Sequence, residues 1–159
     1  MIQKAYSRRA TVSLLASASL LPVLAACSET EAQTITVHKD ANCGCCNGWV
    51  KHLNGAGFQT VVRNVSDLAE VKKRLGVPDA LASCHTGEVE GYVIEGHVPA
   101  EAIQRLFAEK PKARGLAVPG MPIGSPGMEG ANPETYDVVI FDESSSKPFM
   151  KFVETRVVG

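Results

Sequence analysis

The chain has 159 residues, 45% of them hydrophobic, with 16 basic against 17 acidic side chains and five cysteines. That length suits one domain with a real core and excludes a TIM barrel or a two-domain dehydrogenase. A near-neutral balance offers no basic stripe, so no nucleic-acid partner is expected.

Residues 1–12 carry Lys4, Arg8 and Arg9 and no acid, and an apolar run from Val12 to Ala26 follows. A basic stretch before a short apolar run is the pattern of an export signal. The run is shorter than the roughly 20 residues a membrane span needs. It closes Leu24-Ala25-Ala26-Cys27, which is similar to the lipobox of bacterial lipoproteins. The expectation is a lipoprotein-type export signal over 1–26, a polar tether over 27–33 and one domain over 34–159. The domain would sit in the periplasm, meeting the membrane only through a lipid on Cys27. A plain secretory signal is the competing reading. Ser7-Arg8-Arg9 matches a twin-arginine signal only in part, because Thr11 stands where a bulky apolar residue belongs. Without residues 1–26 the chain holds 13 bases and 17 acids, a balance of −4. Four cysteines then remain for chemistry.

Thr34 to His38 alternates polar and apolar and predicts a strand; Asp40 to Gly44 predicts a turn. A helix is expected from about Cys46, with Trp49, Val50, Leu53 and Ala56 on one face and Gly55 or Gly57 ending it. Gln59 to Val65 reads as a second strand. Ser66 or Asp67 caps a helix carrying Leu68, Val71 and Leu75, stopped by Gly76-Val77-Pro78. Leu81 to Glu88 and Gly91 to His97 read as a hairpin, and Pro99 opens a third helix. This order, βαβ followed by a β-hairpin and helix, is the α/β thioredoxin-like arrangement. Gly115 to Asn132 holds five glycines and three prolines with Met121 and Met128, and predicts a long irregular loop. Two C-terminal strands, 136–142 and 149–157, follow.

Cys43-Gly44-Cys45-Cys46 places three thiols in four residues between a strand and a helix. Cys43 and Cys46 form a C-x-x-C pair at a helix N-terminus, where the macrodipole and free N–H groups favour thiolate. That position suits either a redox dithiol or a set of metal ligands. Cys45, inside the pair, would scramble simple disulfide exchange. Cys84, on the segment entering the third strand, would face the motif and supply a fourth thiol. Soft thiolates suit Cu(I). Four thiolates around one Cu(I) leave about −3, which favours bridging thiolates and more than one copper ion per chain. His38 and His85 are further candidate ligands, although alternation on a strand turns His85 away from Cys84. Met121 and Met128 could bring thioethers from the loop. His52 and His97 read as ordinary surface or half-buried residues, and Met150 as core. There is no phosphate loop, dinucleotide motif or nucleophile–base pair. A catalytic role, if present, would be copper or thiol redox chemistry.

The run His38-Lys39-Asp40-Ala41-Asn42-Cys43-Gly44-Cys45-Cys46-Asn47-Gly48-Trp49 resembles the opening of CopG-type proteins of bacterial copper and silver resistance systems. The resemblance continues through Ala82-Ser83-Cys84-His85-Thr86, Gly91 to Pro99, Gly115 to Pro122 and Gly124 to Glu129. It spans about residues 35–142 and implies a thioredoxin-like copper-binding protein of the envelope, with Cys43, Cys45, Cys46 and Cys84 holding copper. His38, His85, Met121 and Met128 match as well. Other envelope copper-handling proteins are the implied partners. A thiol–disulfide oxidoreductase using Cys43 and Cys46 stands as the alternative.

Overall fold

A computed structural model describes residues 32–159. The export signal over 1–26, Cys27 and most of the 27–33 tether lie outside the described residues. The domain is mixed α/β, one eight-stranded sheet with three helices. In chain order these are β1 (Thr34–Lys39), α1 (Gly44–Gly55), β2 (Gln59–Asn64), α2 (Leu68–Leu75), β3 (His85–Val89) and β4 (Tyr92–Gly96). They continue with α3 (Ala100–Glu109), β5 (Gly115–Val118), β6 (Thr135–Phe141), β7 (Ser146–Val153) and β8 (Arg156–Val157). The strand order is β2-β1-β3-β4-β5-β6-β7-β8. Among the described residues no helix is long and apolar enough to cross a membrane.

The pleat sorts the core onto two faces. Ile35, Val37, Ile94 and Leu116 pack with Trp49 and Leu53 of α1 and Ile103 and Leu106 of α3. Their neighbours Val93 and Ala117 join Leu75 of α2, Val77, Leu81 and Phe141 in a smaller cluster. Alternation along a strand sends successive side chains to opposite faces, so helices cover both sides.

Three parts of the sequence reading need correction. Gly115–Val118, expected to open the irregular loop, is instead β5, parallel to β4 and antiparallel to β6. All four of its residues are buried, and a run this short shows no periodicity by which to separate a buried strand from a loop. Residues 81–84 are not strand: a 3₁₀ turn covers Asp79–Leu81 and β3 begins at His85. The tail strand expected over 149–157 starts earlier and is cut in two, β7 ending at Val153 and β8 resuming at Arg156. Glu154 adopts a positive φ there.

The topology fixes where a site can be. β1 runs antiparallel to β3, β3 antiparallel to β4, and β4 parallel to β5. The C-terminal ends of β1, β4 and β5 therefore gather with the start of β3 at one end of the sheet. Each of these ends leads into a segment that carries cysteine, histidine or methionine.

Candidate metal centre

The turn after β1 is built locally. Lys39, buried, donates from Nζ to the carbonyls of Asp40 (2.7 Å) and Ala41 (3.4 Å). Asp40 Oδ1 accepts the Asn42 N–H, and the Asp40 carbonyl accepts that of Cys43. Helix α1 begins two residues before the expected start because a cysteine sulfur caps it: Cys43 Sγ accepts the N–H of Cys46 at 3.3 Å. Cys45 and Cys46 then occupy the first turn, where free N–H groups and the helix dipole favour negative sulfur.

Cys43 and Cys46 are joined as a disulfide, with Cα atoms 5.4 Å apart, while Cys45 and Cys84 are free thiols. The bond is the oxidised state of the pair; two electrons and two protons restore both thiols. Cys84 Sγ lies 3.6 Å from Cys46 Sγ and 3.8 Å from Cys45 Sγ, and Cys43 and Cys45 sulfurs are 3.5 Å apart. All four sulfurs lie within 4.8 Å of one another, a spacing that could hold a metal ion.

Cys84 also touches two imidazoles, at 3.2 Å from His85 Nδ1 and 3.1 Å from His97 Nε2. His85 was expected to turn away from Cys84. The alternation argument does not apply, because Cys84 precedes β3 and is not on the strand. His85 stacks on Trp49 (centroids 4.3 Å apart) and meets His97 edge-on. His97 was read as an ordinary histidine, yet it is fully buried and converges on Cys84. The hairpin register carries the missed signal. Thr86 pairs with Glu95, so continuing the register by two residues sets Cys84 opposite His97.

The tautomer of His97 follows from its partners. Its Nδ1 lies 2.8 Å from the Pro126 carbonyl, which can only accept, so the proton is on Nδ1 and the Nε2 lone pair faces Cys84. A histidine that donates one N–H to a carbonyl and presents its other nitrogen to sulfur has the arrangement common to metal-ligating imidazoles. Burial holds the pKa of both His85 and His97 below the usual histidine value, with His97 further lowering that of His85. Both rings are neutral near pH 7. Burial, reinforced by Cys45, pushes the Cys84 thiol up to about 12. A soft metal bound there must therefore displace its proton.

The remaining histidines have other partners, and the two methionines sit on the loop after β5. Strand alternation places His38 on the face opposite Val37, where Nε2 meets Glu88 Oε1 at 2.7 Å. His52 Nε2 accepts the Ala100 N–H that opens α3. Met121 is 41% exposed with φ +51°, and Met128 is half-buried in a turn closed by its own N–H to the Ser125 carbonyl. The loop carrying both methionines packs against the cysteine turn. A Cβ on Gly48 would come within 2.7 Å of Gly127 Cα, and one on Gly127 would overlap the Cys45 carbonyl oxygen.

Comparison with known proteins agrees with this geometry. Two solved structures of copper resistance protein CopG, forms 2 and 1, share 46% sequence identity with the chain. Their TM-scores are 0.73 and 0.72, and each alignment covers 77% of this chain and 99% of the other. The chain belongs to the CopG family. A family model described as a protein of unknown function, DUF411, matches residues 81–128, which include Cys84, His85, His97 and the methionine loop. No curated protein matches the chain.

Proposed function

We propose that the domain binds Cu(I) through the thiolates of Cys43, Cys45, Cys46 and Cys84, and serves copper tolerance in the bacterial envelope. One observation carries the reading: four sulfurs converge at the end of the sheet, and the Nε2 lone pair of His97 meets one of them, Cys84. Thiolate and neutral imidazole are soft to borderline donors, and such sets favour Cu(I) over hard cations. CopG relatives named for copper resistance support the same choice of metal. The Cys43–Cys46 bond must be reduced before all four thiolates are free, so loading is coupled to the redox state. Sequestration, transfer and Cu(I)/Cu(II) conversion are all compatible with that coupling. The charge of four thiolates favours a cluster with more than one copper ion, bridged by sulfur. His85 is a candidate ligand beside Cys84; Met121 and Met128 are candidates on the loop.

The reading extends to setting and fold. The proposed location is the periplasm, with lipid on Cys27 as the only membrane attachment and other envelope copper-handling proteins as partners. The proposed fold relationship is thioredoxin-like: β1–α1–β2 parallel, then the β3–β4 hairpin and α3.

The test is anaerobic titration of the reduced full-length chain with Cu(I), read by metal analysis and by copper–thiolate absorption in the ultraviolet. More than one copper per chain is expected, with most of the absorption lost in Cys84→Ser. A plateau at one copper or fewer removes the cluster, and no bound copper removes the proposal. The Cys43–Cys46 disulfide at a helix N-terminus favours one second reading, a thiol–disulfide oxidoreductase. That activity would turn over a disulfide substrate without metal and vanish in Cys43→Ser.

A further inference from the structure

The four sulfurs are held by unequal means. Cys43, Cys45 and Cys46 belong to a capped helix turn, whereas Cys84 lies between a 3₁₀ turn ending at Leu81 and a strand starting at His85. Neither element holds the Ser83–Cys84 backbone through its own ladder. The Cys84 carbonyl lies 3.6 Å from Cys46 Sγ, and the Ser83 N–H is held by a buried side chain. Glu95 of β4 is fully buried, and its Oε1 accepts the Ser83 N–H at 2.6 Å. The same oxygen accepts from Lys72 Nζ of α2 at 2.5 Å, while Oε2 accepts from Thr86 Oγ1 at 2.7 Å. Lys72 Nζ also donates to Thr86 Oγ1 at 2.9 Å, closing the network. Lys72 reaches this network from α2, and Glu95 and Thr86 are register partners on one face of the sheet.

A buried ion pair adds little stability over apolar residues of similar volume, so stability alone is a weak account of this one. Its geometry has a clearer consequence. The carboxylate ties three elements, α2, β3 and β4, to the residue that precedes Cys84. Ser83 is also confined from the other side, since a Cβ on Gly96 would come within 2.7 Å of Ser83 Oγ.

We propose that Glu95 is the positioning residue of the centre. By accepting the Ser83 N–H from within the Lys72–Thr86 network, it holds Cys84 Sγ against Cys45, Cys46 and His97. Glu95 touches none of the sulfurs; it acts through one backbone hydrogen bond. The proposal deepens the copper-site reading and rests on it for its meaning, but its geometric content is measurable without metal.

The experiment compares wild type, Glu95→Gln and the double variant Lys72→Met/Glu95→Leu as full-length chains. The double variant removes the acceptor without leaving a buried charge unpaired, and Gln keeps an oxygen for Ser83 N–H. The metal-free readout is the equilibrium between the Cys45–Cys84 disulfide and glutathione, with cysteines mapped by alkylation and mass spectrometry. The double variant should lower the effective concentration of Cys84 at Cys45 about tenfold or more, because misplacement near 1 Å has effects of that size. Glu95→Gln should stay within about threefold of wild type, since it retains the single hydrogen bond at issue. The second readout is Cu(I) affinity by chelator competition, expected to fall about 10- to 100-fold in the double variant, as for lost outer-shell partners. Wild-type cross-linking in a folded double variant overturns the proposal. So does Glu95→Gln impaired as severely as the double variant. If wild type binds no Cu(I), the copper reading fails while the disulfide equilibrium still decides the role of Glu95.

Discussion

The two arms of the centre are made differently. The Cys43–Cys46 arm is four consecutive residues on one turn, with its hydrogen bonds supplied from Lys39 to Cys46. The Cys84–His85–His97 arm joins two strands and depends on buried polar groups from α2, β3, β4 and the loop at Pro126. The first arm is local geometry and should survive disturbance elsewhere in the fold. The second is a tertiary assembly, and changes at a distance should reach it.

The largest expected effect comes from the contact that presses the loop onto the first arm. Gly127 has φ +89° and no room for a Cβ against Cys45 and Trp49. Gly127→Ala should destabilise the reduced, metal-free protein by about 3 kcal/mol in urea unfolding. It should also free the Pro126 carbonyl from His97, so that the second arm is disturbed while the first keeps its own turn hydrogen bonds. An unchanged urea midpoint would show that the loop is not packed as described.

Trp49 links the arms: it sits on α1, stacks on His85 and donates from Nε1 to the Val98 carbonyl at 2.8 Å. Trp49→Phe should cost about 2 kcal/mol through that lost hydrogen bond and a small void. It should disturb Cys84 reactivity more than that of Cys45. Equal change in both thiols would argue against a bridging role.

A remote substitution sharpens the contrast. Asp67 caps α2, its Oδ1 accepting the Glu70 N–H at 2.9 Å. Asp67→Ala should cost about 1 kcal/mol and leave the Cys45–Cys84 equilibrium at its wild-type value. A shift there would mean that α2 transmits more to the site than the Lys72 contact alone.

The smallest effect is a pH dependence. Burial lowers the His52 pKa below 6.5, partly opposed by Glu129. The unfolded chain then binds more protons than the folded one just below pH 6.5, so stability rises with pH there. The contribution of His52 is fully present above pH 6.5 and declines as pH falls toward its lower folded value, because protonation competes with the Ala100 N–H. The wild-type minus His52→Asn difference in unfolding free energy should show that slope between pH 7 and 5. A flat difference would remove His52 as the acceptor for α3.

Much of the chain was legible because local signals agreed with the final packing. Alternation at Thr34–His38, helical spacing at Leu68, Val71 and Leu75, and the stop at Gly76 all correspond to observed boundaries. Gly115–Val118 was not legible, since its partners lie in β4 and β6 and its own four residues carry no period. His38 was an attractive ligand by proximity in sequence, but strand alternation turned it to Glu88.

By itself the sequence determined that three thiols would sit together at the junction of the first strand and the first helix, since they fall within four consecutive residues. It also set Cys84 near the start of the third strand, facing that motif. Only the tertiary structure decided which imidazole meets that sulfur and that Glu95 grips the backbone before Cys84. The reason is physical. A turn is fixed by neighbours along the chain, whereas a register, a buried carboxylate and a choice between two histidines are fixed by strands that meet only on folding.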